Sequence, residues 1–289
     1  MNVKNWIYLI GLSILWGGSF YFIEKALLGF SFEQVVFFRV FFAAIFIYIV
    51  LLIKKIKIQW QIKIWLSFLI MGLLNNVIPF LSITYAQESI TASLASLFNA
   101  TTPIFTAIFA HFLTKDEKSS WTQSAGILVG FIGMIILLSP KGFGSFEYAA
   151  LFAILGAISY AFAGIFGKRL KDTNPLLNVL GMLISSSLVT YLLFNTSINN
   201  TNFNSIYEFK DIILLAIFST ALAYVIFFKL LFEVGAVKLL LVTFLIPISA
   251  SVLGIFLLNE EFTLYMLFGS VFIFISLYLI TKRTRVWIL

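Results

Sequence analysis

Ten apolar blocks, each about one membrane thickness long, dictate what this chain can fold into: residues 5–23, 32–53, 64–85, 91–113, 120–139, 147–167, 176–194, 211–231, 236–258 and 263–281. A helix needs about 20 apolar residues to cross roughly 30 Å of hydrocarbon, where only helices and closed barrels satisfy their backbone polar groups. Barrel strands would be about half as long and would alternate in polarity. The blocks therefore predict an all-α integral membrane protein with ten transmembrane helices. Only 11% of the residues are charged, whereas a soluble domain carries about a quarter. Too few charges remain to coat a globule, which excludes a soluble enzyme or nucleic-acid binder as the reading of the whole chain. The net charge of +7 lies between apolar blocks and not in a nucleic-acid patch. Cysteine is absent and His111 is the single histidine, so thiolate and Cys/His metal chemistry fall away, and neither a cofactor nor a metal is expected. The first block lacks a small-residue cleavage region and is too long for a leader core, so it is read as a retained span.

Lysine and arginine fix the orientation. With the amino terminus inside, the inner segments hold Lys4, Lys54, Lys55, Lys57, Lys63, Lys115, Lys118, Lys168, Arg169, Lys171, Lys238, Lys282, Arg283 and Arg285, while the outer ones hold Lys25, Lys141 and Lys210. Both termini are thus expected in the cytoplasm. The stretch from Asn195 to Lys210 reads as a solvated outer link. The alternation over Lys57–Lys63 suggests either a strand or, as preferred beside a membrane, tryptophans at the headgroup level.

A shift of 144 residues brings the halves into register: Trp16 falls on Tyr160, Phe80 on Tyr224, Ala92 on Ala236, Pro103 on Pro247 and Glu117 on Glu261. Each unit, 1–145 and 146–289, holds five spans. An odd count inverts the second copy, and such pairs exchange inward-open and outward-open states around a ligand near their shared midplane. The residues WGGSF (16–20), FFRVFFAA around Arg39, LFNATTPIFTAIFAHFLTKDE (97–117) and LVTFLIPISASVLGIFLLNEE (241–261) resemble the drug/metabolite transporter superfamily, most closely its EamA-type branch. That resemblance implies two inverted five-helix repeats forming an inner-membrane carrier that moves small organic metabolites, often outward.

Polar groups at mid-depth are costly in lipid and face the bundle interior. Trp16, Asn75, Asn76, Asn99, Thr101, Thr102, Tyr160, Thr243 and Pro247 fall there, with Tyr224 toward the cytoplasmic side and Tyr85 near the outer end. As a set they are candidates for substrate contact; singly, each Asn or Thr serves as well for interhelical hydrogen bonding. Pro103 and Pro247 each delete a helix hydrogen bond and are candidate hinges or static kinks. Arg39 is the candidate for charge recognition, either paired with Glu24 or Glu33 or drawing in a carboxylate. Lys229 is expected to snorkel to headgroups and His111 to sit at the interface. Glu117 and Glu261, just before spans 5 and 10, are expected to offset helix N-terminal charge.

No Asp or Glu reaches mid-depth and no phosphate-binding GxxxxGK[ST] loop is present, so neither a buried carboxylate relay nor ATP hydrolysis by this chain is expected. The midplane mixture of aromatics, amides and hydroxyls suits amphipathic solutes such as amino acids. The expectation is therefore a non-enzymatic bacterial carrier, an exporter whose partners are one small solute and the bilayer. Uptake of a nucleotide-like or cofactor-like metabolite stays open beside it, as does a membrane enzyme or assembly factor.

Overall fold

With water excluded, each backbone N–H must bond within its own segment, and every apolar block duly closes into helix. The computed structural model describes residues 1–90, 92–115, 117, 120–139, 148–201, 209–258 and 263–281; among these no strand occurs. Helices α1 (Val3–Ala26), α2 (Phe32–Ile53) and α3 (Ile62–Ala86) form the first three spans. Span 4 is split into α4 (Ala92–Asn99) and α5 (Thr102–Leu113), and α6 (Trp121–Leu138) is span 5. In the second half α7 (Ala149–Gly167), α8 (Pro175–Asn199) and α9 (Lys210–Val234) form spans 6 to 8. Span 9 is split into α10 (Ala236–Leu240) and α11 (Val242–Leu258), and α12 (Leu264–Thr281) closes the series.

Two details depart from the sequence reading, at Asn195 and Pro103, and a third, at Lys57–Lys63, decides between its alternatives. The segment from Asn195 begins as helix and not as a solvated link, because Gln34 Nε2 donates to the Ser197 carbonyl (2.8 Å) and Ser31 Oγ meets Ser197 Oγ (3.1 Å). Pro103 opens α5 at its second position and does not bend a continuous span. The Asn99 carbonyl that its missing N–H would have met accepts Thr102 Oγ1 instead (2.6 Å). Pro247, by contrast, lies inside α11. The Lys57–Lys63 stretch forms no strand: Trp60 and Trp65 stack 5.2 Å apart, and Trp65 Nε1 donates to the Gln59 carbonyl (2.9 Å).

Two π-helical turns interrupt spans 3 and 8, at Leu73–Val77 and Ile217–Leu222, and their starting points are the same 144 residues apart. A π turn re-aims side chains and changes which carbonyls are served, and each turn bonds to the first span of the other half. Ser159 Oγ donates to Leu74 O (2.7 Å) and Ser219 Oγ to Leu15 O (2.6 Å). Packing follows the same relation. Span 1 lies on span 9 and span 6 on span 4; span 2 lies on span 8 and span 7 on span 3. Spans 2 and 7 pair directly, as do spans 5 and 10. At the last crossing backbones touch: a Cβ on Gly133 would lie 2.9 Å from Gly269 O, and one on Gly269 would lie 2.7 Å from Gly133 O.

Candidate functional site

Where spans 1, 2, 3, 4, 6, 8 and 9 converge, side chains line a cavity of about 40 Å³. At about 10–15 Å³ per water centre this is room for a few waters. Trp16, Arg39, Asn99, Tyr160 and Thr243 line it, so the structure brings together five of the residues singled out from the sequence. Two mirrored pairs, Trp16 with Tyr160 and Asn99 with Thr243, face the same space; a third, Ile83 with Phe227, went unnoticed. Phe80 and Thr84 complete its wall from α3. With 34 phenylalanines in the chain, no single one stood out; the 144-residue shift was the usable signal.

The other candidates sit elsewhere. Tyr224 is fully buried, and its one hydroxyl proton is shared between Asn76 Oδ1 (2.6 Å) and the Asn75 carbonyl (2.9 Å). Asn76 Nδ2 in turn donates to Ser186 Oγ (2.8 Å) on α8. This knot joins spans 3, 7 and 8 behind the cavity, and the Tyr224 ring meets the lining residues Trp16 edge-on (6.4 Å) and Phe80 in parallel (6.5 Å). Thr102 is buried on the Asn99 carbonyl. Tyr85 is 39% exposed and packs on Phe32 and Phe152 at the other end of α3.

Arg39 meets neither Glu24 nor Glu33. Its Nε donates to Thr220 Oγ1 (2.7 Å) and its guanidinium carbon lies 3.7 Å from the Phe80 ring centre. The sequence hides this because Thr220 is aimed by the π turn of span 8. Lys229 is partly buried near the inner end of span 8; Nζ donates to Tyr8 Oη (2.7 Å) and sits 4.1 Å over the same ring. His111 is exposed, edge-on to Phe112. Beyond the end of α3, burial first and then the neighbouring Glu33 push the Glu88 carboxyl above the usual carboxylate range.

Glu117 does serve a helix N-terminus, but of span 9 and not of the span that follows it. Oε1 accepts from Ala236 N (2.9 Å) and Oε2 from Val237 N (3.1 Å), and Lys168 Nζ pairs with Oε1 at 3.1 Å. Gly235 permits this with φ +83°, where a Cβ would collide with Glu117 Oε1. One carboxylate thus ties the loop after span 4 to the end of span 6 and the start of span 9. Its counterpart Glu261 lies outside the described residues, as do Lys118, Lys141, Lys282, Arg283 and Arg285.

An all-helical bundle of membrane-spanning length, converging on a small polar-aromatic cavity, defines a multi-pass membrane protein. The chain belongs to the EamA-like transporter family, whose model matches it twice, over residues 4–139 and 147–282. It is 20% identical over 290 residues to the Bacillus subtilis uncharacterized transporter YoaV, covering 96% of this chain and 97% of that one. An Archaeoglobus fulgidus uncharacterized transporter is 23% identical over 97% of this chain and all of its own length. The Escherichia coli K12 uncharacterized inner membrane transporter YedA is 27% identical over 164 residues, covering 56% of this chain and 52% of its own. A solved crystal structure shares the fold with a TM-score of 0.79 at 15% identity, over 97% of each chain.

Proposed function

We propose that the protein is a secondary carrier that exports small amphipathic organic solutes, amino acids among them, by alternating access between the inverted units 1–145 and 146–289. The observation that carries this reading is the cavity wall itself. Trp16 and Tyr160, and Asn99 and Thr243, are mirror mates that meet on one space. A binding site built from equivalent positions of two inverted repeats stays in place while the surrounding helices exchange conformations. Aromatic faces supply apolar area, and the amide and hydroxyl groups supply polar contacts, without a fixed carboxylate that would hold a bare cation. The distribution of lysine and arginine supports cytoplasmic termini in a bacterial inner membrane. Family and relatives support transport.

Purified protein in sealed liposomes tests the reading. Preloaded leucine or phenylalanine should accelerate entry of the labelled solute, and Trp16→Ala should slow that counterflow. Chemical conversion of the solute without flux would defeat it.

A further inference from the structure

Among the described residues, the cavity lining holds one cation with no carboxylate paired to it and one amide oxygen with no donor. Arg39 is 5% exposed, yet it lines the cavity. Arginine stays protonated in proteins and offers five N–H donors. Nε is taken by Thr220 Oγ1 at 2.7 Å, and Nη2 reaches the Ser219 carbonyl only at 3.5 Å. Among the described residues no carboxylate forms an ion pair with it. The geometry around Thr220 is one-directional. Its hydroxyl proton goes to the Leu215 carbonyl (3.0 Å), five residues back across the π turn, so a lone pair must face Arg39. Phe80 holds the guanidinium plane from one side at 3.7 Å, and Tyr224 backs Phe80. The group is therefore oriented by its edge and its face, with its Nη end left for something else. Asn99 also lines the cavity, and its buried Oδ1 meets no hydrogen-bond donor among the described residues.

A buried charge is stable only when paired, and a buried acceptor without a donor is likewise unfavourable. We infer that Arg39 is the recognition group for a carboxylate on the transported solute, with Asn99 Oδ1 receiving an N–H or O–H donor of the same molecule; this rests on the carrier reading above. The guanidinium fork binds a carboxylate through paired N–H groups, which a lysine does not reproduce. The position equivalent to Arg39 in the second unit is Leu183, so the site has one cationic pole and takes one carboxylate per solute. Thr220 is a positioning residue: it touches no cargo and sets where the fork points.

The test uses the full-length protein in liposomes with leucine and phenylalanine, their methyl esters, and the matching amines that lack the carboxylate. Melting shifts are read in parallel. The parent should bind and exchange the acids at least tenfold better than the esters or amines. Arg39→Gln should abolish that preference, with acids falling to the level of esters. Thr220→Val should lower acid affinity several-fold while leaving the weak ester response unchanged, and Thr220→Ser should restore it; this arm keeps the test alive if Arg39→Gln fails to fold. Esters and amines exchanging as fast as the acids would overturn the assignment of Arg39 and leave the carrier standing. A Thr220→Val protein that loses acids and esters alike would also overturn it, since a general packing defect has no such selectivity. No counterflow with any of the six probes, in protein that melts cooperatively, would instead overturn the carrier reading beneath it.

Discussion

Removing the Glu117 carboxylate should release the bundle at the end where the chain begins. Opening there separates the loop after span 4 from spans 6 and 9, so every bond made by Glu117 must break. Its two amide contacts, at 2.9 and 3.1 Å, amount to a capping interaction of about 0.5–2 kcal/mol. The charge beside the helix N-terminus adds about 0.3–1 kcal/mol. The pair with Lys168 is partly screened, with side chains 27% and 13% exposed, and contributes at most about 1 kcal/mol. Glu117→Ala should therefore weaken the closed form by about 2–3 kcal/mol, a shift of roughly 30- to 150-fold in the closed-to-open ratio. Glu117→Gln keeps an acceptor oxygen and should give about 1 kcal/mol. Lys168→Met should give about 0.5 kcal/mol and be the smallest effect, fading with added salt. The chain has no cysteine, so a single Leu240→Cys in the cavity wall reports access through its maleimide reaction rate in inside-out vesicles. Labelling should accelerate in the order Lys168→Met, Glu117→Gln, Glu117→Ala. Equal rates in Glu117→Ala and the parent would refute the latch, and a Lys168→Met effect as large as Glu117→Ala would refute its capping basis.

Trp16→Ala and Tyr160→Ala should each weaken solute binding by about 1–3 kcal/mol, with a smaller change in ligand-free melting; calorimetric titration beside a melting scan decides, and unaltered affinity in both removes them from the site. Tyr224→Phe should do the reverse. It strips the donor from the buried Asn76 Oδ1 and Asn75 carbonyl, lowering stability by about 1–3 kcal/mol at nearly constant affinity. Pro247→Ala should slow transport more than it weakens binding. Pro103→Ala should do so less, because Thr102 already serves the Asn99 carbonyl; transport at the parent rate in both variants would make the prolines static kinks. A cysteine at Asn200 should react with impermeant reagent added to intact cells, and cysteines at Lys57 and Lys171 should not; the opposite pattern would invert the orientation.

Helix number and extent were legible because lipid leaves a twenty-residue apolar block little choice. The pairing of Trp16 with Tyr160 was legible too, through the constant spacing of the two halves. What stayed hidden depends on contacts that no local pattern encodes. Leu73–Val77 and Ile217–Leu222 have no composition that marks a π turn, yet the second of them aims Thr220 at Arg39, 181 residues away. Glu117 precedes span 5 in the chain, so a local rule assigns it there. Only the fold brings Ala236 and Val237 beneath its oxygens. Asn75 and Asn76 illustrate the limit of depth as a guide. Both are buried at mid-span, but the Asn76 side chain bonds Tyr224 and Ser186, and the Asn75 amide points to Met182 Sδ at 3.6 Å.

The glycine crossing of α6 and α12 has a mechanical consequence. In the alternating access proposed above, exchanging the two halves would carry span 1 on span 9 into span 6 on span 4, so a full cycle would remake those contacts. Spans 5 and 10, however, are carried into each other, and their pairing is its own image. An interface invariant under the operation that drives the cycle can remain closed throughout, which suits the direct backbone contact of Gly133 with Gly269. In the alternating access proposed above it would be the fixed axle of a rocker, where close fit adds rigidity without adding friction, and the moving contacts would be left to the spans around the cavity.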